Sequence, residues 1–359
     1  TDLFPSVEAW EEALDEVSQG IPKLESFQGR LGESAATLEE ALTIRSSLYR
    51  KLASVSVYAS LKSDENLAES EPRALKQRVS SVGSTLRQNT SWMAPEIISL
   101  GADNIEAFIA ETPGLAPFDH SLRSTLLRAP HTLSPEAERV MAAAGKLRRQ
   151  PSQIYSILAN ADLPWPSITL SDGEEVYLNQ AGYSKYRAVD DRDDRKAVFD
   201  AFWGKLGEYK STMGQVLLSE VEANVFQSRM RKYDHILDWA LAGDNLPEEV
   251  YRSLVKVTNE SLPTLHRYFK LRGRLLGIDD LRYYDVYPDL VQSDEVFSYE
   301  RSIETTIVGV APLGDEYGEL LKSYVQVDHT HVYPRKGKRS GAYMSGSAYD
   351  TAPYMLLNH

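Results

Sequence analysis

Residues 33–71 read ESAATLEEALTIRSSLYRKLASVSVYASLKSDENLAESE, a stretch with neither Gly nor Pro. Within it Leu38, Leu42, Arg45, Tyr49, Leu52, Ser56 and Ala59 step at threes and fours, which lays them down one face of a helix. The spacing predicts one long helix, with a break near Asp64 to Asn66. Leu75, Val79, Val82, Leu86 and Met93 continue the period after Pro72, until Pro95 interrupts it. Two such segments joined by a short polar link are expected to pack as antiparallel neighbours. Further on, Ser134-Pro135-Glu136-Ala137 supplies a cap followed by proline at the first helical position, opening a helix to about Arg149 with Pro151 at its limit. The front of the chain is therefore mainly α, a multi-helix N-terminal domain.

The stretch from Ile168 to Leu178 has another character. Two β-rich runs flank Asp172-Gly173, the pattern of a hairpin, and this is the expected boundary between residues 1–165 and residues 166–359. Charge-rich Asp190 to Lys196 leads into a long helical stretch with Phe202, Leu206, Met213, Leu217, Val221 and Val225 expected inward. Leu246-Pro247-Glu248-Glu249 opens another helix, whose apolar face runs through Leu254, Val257, Leu262, Leu265 and Phe269 around Pro263. Val325, Val327, His329, His331 and Tyr333 then alternate with Gln326, Asp328, Thr330 and Val332 at the period of a strand. A turn over Pro334 to Gly337 is expected to return the chain into Lys338 to Met344 as a hairpin. The closing run Pro353 to His359 reads either as a terminal strand or helix tucked into the core or as a polypeptide cut before its natural end.

Composition narrows the function classes. The chain has 359 residues and no Cys, so disulfide and thiolate chemistry are excluded and a reducing compartment suits it. Its net charge of −13 argues against a broad nucleic-acid surface, because phosphate binding rests on clustered positive charge. No apolar run approaches the roughly 20 residues a membrane helix needs. Thr1 to Trp10 lacks the basic-then-apolar order of a signal peptide, so a cytoplasmic protein with neither nucleic-acid nor membrane partner is the default expectation.

Few local patterns carry chemistry. His329 and His331 lie two apart, so a strand sends both rings to one face, but a third metal ligand has to come from afar. No His-Glu-x-x-His, phosphate loop, dinucleotide fingerprint or calcium loop occurs. Arg335, Lys336, Lys338 and Arg339 form the densest basic run of an acidic chain, and read either as a solvated hairpin tip or as a cleft edge meeting a peptide carboxylate or a structural acid. After them Ser340-Gly341-Ala342-Tyr343 puts small residues, which admit a second backbone, beside an aromatic ring. An exposed edge there accepts a peptide by strand addition, although Tyr343, Tyr349 and Tyr354 also fit a partial core.

The run Lys336 to Tyr343, continued by Ser345-Gly346-Ser347-Ala348-Tyr349-Asp350-Thr351 and Pro353 to Asn358, closely resembles the oligoendopeptidase F family. Asp119-His120-Ser121-Leu122-Arg123, His131-Thr132-Leu133-Ser134, Ala161 to Pro166 and the Leu276 to Tyr287 stretch extend the resemblance along the whole chain. It implies two helical lobes around a deep cleft, and a helical catalytic domain beginning at residue 166 with small β elements lining that cleft. It also implies one zinc ion, held by a His-Glu-x-x-His motif and a downstream Glu, with the motif Glu as general base in the hydrolysis of short peptides. Those ligands are expected beyond residue 359, so no catalytic or metal residue is assigned here, zinc is not expected to bind residues 1–359 alone, and the C-terminal catalytic portion, on the same polypeptide or as a separate chain, is an expected partner. Gly341, Ala342, Tyr343 and Tyr349 are the expected substrate-binding residues, and the Asp285-Val286-Tyr287 stretch is a further cleft-wall element. The alternative is a catalytically inactive peptide-binding or structural helical module.

Overall fold

The computed structural model describes residues 3–291, 295–325 and 329–359. Helix α2 (Ala35–Glu65) is the continuous helix the 33–71 spacing predicts; Ser34 caps it by accepting from the Thr37 N–H, and it ends where Asn66 turns extended. Against it pack α1 (Val7–Glu25) and α3 (Ser70–Thr90). Trp10, Leu14, Val17 and Leu24 of α1 interleave with Leu38, Leu42, Leu52 and Val55 of α2 and with Leu75, Val79 and Leu86 of α3. Each such Leu contributes roughly 1.5–3 kcal/mol by leaving water. The indole N–H of Trp10 donates to the Val55 carbonyl at 2.9 Å, so the largest core side chain buries no unpaired donor.

Short helices α4 (Met93–Leu100), α5 (Ala102–Glu111) and α6 (Asp119–Leu127) close one end of this core through Ile97, Ile105 and Leu122. Helix α7 (Pro135–Arg148) starts on the Ser134 cap as expected. Pro151 does not stop the chain's helicity: it occupies the first turn of α8 (Gln150–Ile157), where a missing N–H leaves no helical bond unmade.

The hairpin forms as β1 (Ser167–Thr169) and β2 (Glu175–Tyr177), with Ile168 opposite Val176 and Gly173 at φ +91 in the turn. A second buried cluster gathers around it: Leu163, Trp165, Leu170, Val176 and Leu178 with Tyr183 of α9 (Gln180–Tyr186) and Val198 and Phe202 of α10 (Arg192–Glu208). Trp165, Phe202 and Tyr183 form a stack with centroid separations of 4.9 and 4.1 Å.

Helix α11 (Lys210–Met230) begins after a break at Tyr209, and here the inward expectation fails: Leu217 is 66% and Val221 47% exposed. The same holds along α13 (Glu248–Leu276), which runs unbroken through Pro263 with Leu254 65% and Val257 55% exposed. Their periodicity is helical, but no described element packs on that face. Helices α12 (Ile236–Ala242), α14 (Tyr299–Gly309) and α15 (Asp315–Tyr324) complete the helical set. Among the described residues no helix is long and apolar enough to cross a membrane.

Candidate peptide-binding edge at β4

The last part of the chain is a small mixed sheet of order β3-β5-β4: β3 (Thr330–His331), β4 (Tyr343–Ser345) and β5 (Tyr354–Leu356). The expected hairpin between the His-rich strand and the 338–344 segment is not what forms. Strand β5 lies between them, parallel to β3 (Thr330 opposite Met355) and antiparallel to β4 (Met344 opposite Met355). The apolar closing run wins the central place because it satisfies backbone groups on both sides; Leu357 N–H donates to His331 O and His359 N–H to Val332 O, prolonging the β3 pairing. Gln326, Val327 and Asp328 of the expected alternating strand lie outside the described residues.

This order leaves β4 at an edge. Its outward side meets no other strand among the described residues. Gly341 and Ala342 are exposed, Met344 is 66% exposed, and Tyr343 is half-buried. Gly341 stands at φ +83 with open space where a side chain would project. Tyr349 is 80% exposed and is covered on one face by the Arg50 guanidinium at 4.6 Å, while Arg50 Nε donates to Asp350 Oδ2 at 2.6 Å. Gly341, Ala342 and Tyr343 are thus brought to one edge, and Tyr349 sits on the following loop against α2.

The edge is fastened from behind. Asp64, buried in the last turn of α2, accepts from Tyr343 Oη at 3.0 Å and from Arg339 Nη1 at 3.0 Å, with Lys76 Nζ at 3.5 Å from its other oxygen. Burial first, then the Asp64 charge, pushes the Tyr343 phenol well above its ordinary value, so it remains a donor. Arg339 N–H also donates to Asp64 O, and Leu67 N–H to Gly337 O. Asn358 Nδ2 donates to Arg339 O at 3.1 Å and Gly341 O at 2.6 Å, holding the 339–341 backbone against β5.

The basic run meets structural acids, as one of its two readings expects: Arg339 pairs with Asp64 at 3.0 Å and Arg335 with Glu65 at 3.5 Å. Lys338 is buried, and its ammonium donates to the carbonyls of His331 (3.0 Å), Tyr333 (2.8 Å) and Leu357, tying β3 to the end of β5. Burial, then the nearby Arg335 charge, lowers the Lys338 pKa to about 8. Arg335 Nε donates to Glu65 O at the C-terminus of α2, where the carbonyls are otherwise unpaired. Asp64, Glu65 and Asn358 escaped the reading of the sequence. No local signal links Asp64 to a tyrosine 279 positions away.

His329 and His331 do share a face: both line a cavity of about 190 Å³ against α2, alongside Glu65. The His331 imidazole is held below its ordinary pKa, first by burial and then by Lys338 and Arg335. Among the described residues no group of three or more His, Asp or Glu stands together to hold a metal.

The 279–288 segment is the other expected wall. Asp285 is fully buried and accepts from Arg192 (Nε 3.1 Å, Nη2 2.9 Å), Arg195 (3.2 Å) and the Arg282 N–H (2.9 Å), while its carbonyl accepts from Arg272 Nε. Burial pushes its carboxyl up, but Arg192, the Arg282 amide and Arg195 outweigh that and hold it below the usual range. The knot presents Tyr283 and Tyr287, their hydroxyls 2.9 Å apart, with Arg187 lying 3.6 Å over the Tyr287 ring.

With this geometry in view, comparison with known proteins is specific. Residues 186–359 match the model of peptidase family M3, and residues 96–164 match that of oligopeptidase F. Oligopeptidase PepF of Bacillus subtilis is 36% identical over 99% of this chain and 53% of its own length. Group B oligopeptidase PepB of Streptococcus agalactiae is 33% identical over 100% of this chain and 59% of its own length. The crystal structure of oligoendopeptidase-F from Enterococcus faecium superposes with a TM-score of 0.78 at 30% identity, over 89% of this chain and 60% of that one. The chain belongs to the M3 peptidases, in their oligopeptidase F branch. It spans between about half and three fifths of the length of these relatives.

Proposed function

We propose that this chain is the N-terminal portion of a zinc-dependent oligoendopeptidase that hydrolyses internal bonds of short peptides in the cytoplasm. Residues 1–165 form its N-terminal helical domain and residues 166–359 the first part of its catalytic domain. The zinc and its ligands belong to the part of the relatives' length that this chain does not cover. This chain's share of the work is to bind and align. An extended peptide adds to the outer edge of β4 and exchanges main-chain hydrogen bonds with it; the small Gly341 and Ala342 let the two backbones approach, and Tyr343 and Tyr349 contribute ring surface. The observation that carries this reading is an open sheet edge whose rear is locked by buried partners: Asp64 behind Tyr343, Lys338 under the β3–β5 end, Asn358 on Gly341 O. A pre-ordered edge spends little binding energy on its own ordering.

The test uses the full-length protein. Quenched-fluorescent peptides of graded length and a folded protein substrate are assayed alongside zinc content and a chelation series. Cleavage of the short peptides alone, lost with zinc and restored by it, is the expected result. Chelator-insensitive cleavage refutes the zinc chemistry, and wild-type kinetics in a folded Ala342→Val variant refutes the β4 edge as the binding surface.

A further inference from the structure

Away from the β4 edge, a cavity of about 420 Å³ lies where α2, α3, α4, α6 and α7 meet the end of α11. Six arginines line it: Arg45, Arg87, Arg128, Arg148, Arg149 and Arg231. The one acid in its wall, Glu138, is already committed, because Arg231 donates to both of its oxygens at 2.9 Å and the Leu133 N–H donates to Oε1 at 3.0 Å. Arg45 lies 5.1 Å over the Tyr49 ring. Arg87, Arg128, Arg148 and Arg149 make no ion pair among the described residues. Their mutual repulsion is felt: Arg149 is held below its ordinary pKa, first by burial and then by the charges of Arg87 and Arg148. Such a concentration of unneutralised cations stands out in a chain of net charge −13.

Guanidinium forks match phosphate oxygens two at a time, and each phosphate monoester brings about −1.5 to −2 near neutral pH. Two phosphates therefore balance about three to four arginines, whereas a single peptide carboxylate leaves most of them unpaired. The cavity volume falls within the range of small-molecule sites, roughly 300–1,000 Å³. The geometry points to a binding site for a small anion bearing two phosphate groups, seated among Arg87, Arg148 and Arg149 with Arg45 and Arg128 at its rim. A sugar bisphosphate and a nucleoside diphosphate share this chemistry. No β4 residue lines the cavity, so the site is separate from the proposed peptide edge.

The experiment is isothermal titration of the full-length protein with fructose 1,6-bisphosphate and, separately, with ADP, at low and moderate salt. One saturable site per chain is expected for at least one probe, weakening with salt, and the tighter probe identifies the source. Arg87→Gln/Arg149→Gln is expected to weaken binding by at least about tenfold, and Arg87→Lys/Arg149→Lys, which keeps the charges and loses the forks, by at least about threefold. Removing two exposed cations elsewhere, Lys23→Gln/Lys210→Gln, is expected to leave affinity unchanged. The ligand-free Tm of the Gln pair is expected to equal or exceed the parent's, since repulsion is relieved. Saturation by neither probe overturns the site, as does an acidic peptide binding in their place. An equal loss in the Lys23/Lys210 control, or parental affinity in the Arg→Lys pair, overturns it too.

Discussion

The Tyr343 hydroxyl donates to the Asp64 carboxylate at 3.0 Å, joining the edge strand β4 to the last turn of α2 across 279 positions of sequence. Asp64 is 2% exposed and also serves Arg339 and Lys76, so it is the point through which the sheet leans on the helical layer. Removing it takes the acceptor from the Tyr343 hydroxyl and from two half-exposed cations, Arg339 and Lys76. Asp64→Ala is expected to cost about 1.5–3 kcal/mol, read as a fall in Tm or in urea midpoint. Tyr343→Phe removes one donor and leaves both cations in place, so about 1 kcal/mol is expected. Because that hydroxyl is committed to Asp64, the Phe variant is expected to retain peptide turnover nearly intact. A large drop in kcat with unchanged Tm would show instead that the hydroxyl reaches substrate.

Gly341 is a poor position at which to test the peptide edge by adding bulk. At φ +83 any side chain is strained whatever the space around it, and Gly341→Ala is expected to lose roughly 1–2 kcal/mol of stability. Ala342 is exposed and lies at no such angle, so Ala342→Val is expected to leave Tm unchanged while raising KM for short peptides. The two variants, compared by thermal melts and peptide kinetics, separate strain from occlusion.

Lys338 titrates near pH 8 in the folded protein, against an ordinary lysine value of 10.5. Its folded pKa is depressed, so between about pH 8 and 10.5 the unfolded chain binds the extra proton and stability rises with pH, by at most about 1.4 kcal/mol per pH unit. Lys338→Met removes that slope. Urea midpoints of the parent and the Met variant across pH 7–10 are the check, with the amine followed directly by NMR of the reductively methylated protein. A parent slope equal to that of the variant would contradict the depressed value.

Asp285 behaves in the opposite sense. Its folded pKa lies below the ordinary carboxylate value of 3.8, so its contribution is present above that value and is lost as pH falls through the folded one. Asp285→Asn is expected to flatten the acid limb of the stability profile below pH 4. Asp285→Ala, which strands Arg195 in a buried site, is expected to cost about 3–5 kcal/mol at neutral pH. If both variants unfold at the parental acid midpoint, the Arg192–Arg195–Asp285 knot is not what sets it.

Much of the architecture is local and was legible. Helix α2 follows from 31 residues whose period and freedom from Gly and Pro agree, and the β1–β2 hairpin from Asp172-Gly173 between β-rich runs. The 336–358 stretch likewise carries the family in its residues alone. Pairing order did not follow, because Thr330 to His331 and Tyr343 to Ser345 are both competent strands and only competition for backbone partners seats Tyr354 to Leu356 between them.

What the sequence alone determined, then, is the helical periodicity, the hairpin and the family, since each is written in spacing or motif over a few tens of positions. Only the tertiary structure decided which side of an amphipathic helix meets a partner, as exposed Leu217 and Leu254 illustrate, and which charges are spent. Lys338 looked like a surface cation and is a buried strut; Arg87 and Arg149, unremarkable in the sequence, converge without a counter-ion among the described residues. Burial and charge pairing depend on groups that are remote along the chain. Their free energies are set by distance and dielectric in three dimensions, which no local pattern of residues encodes.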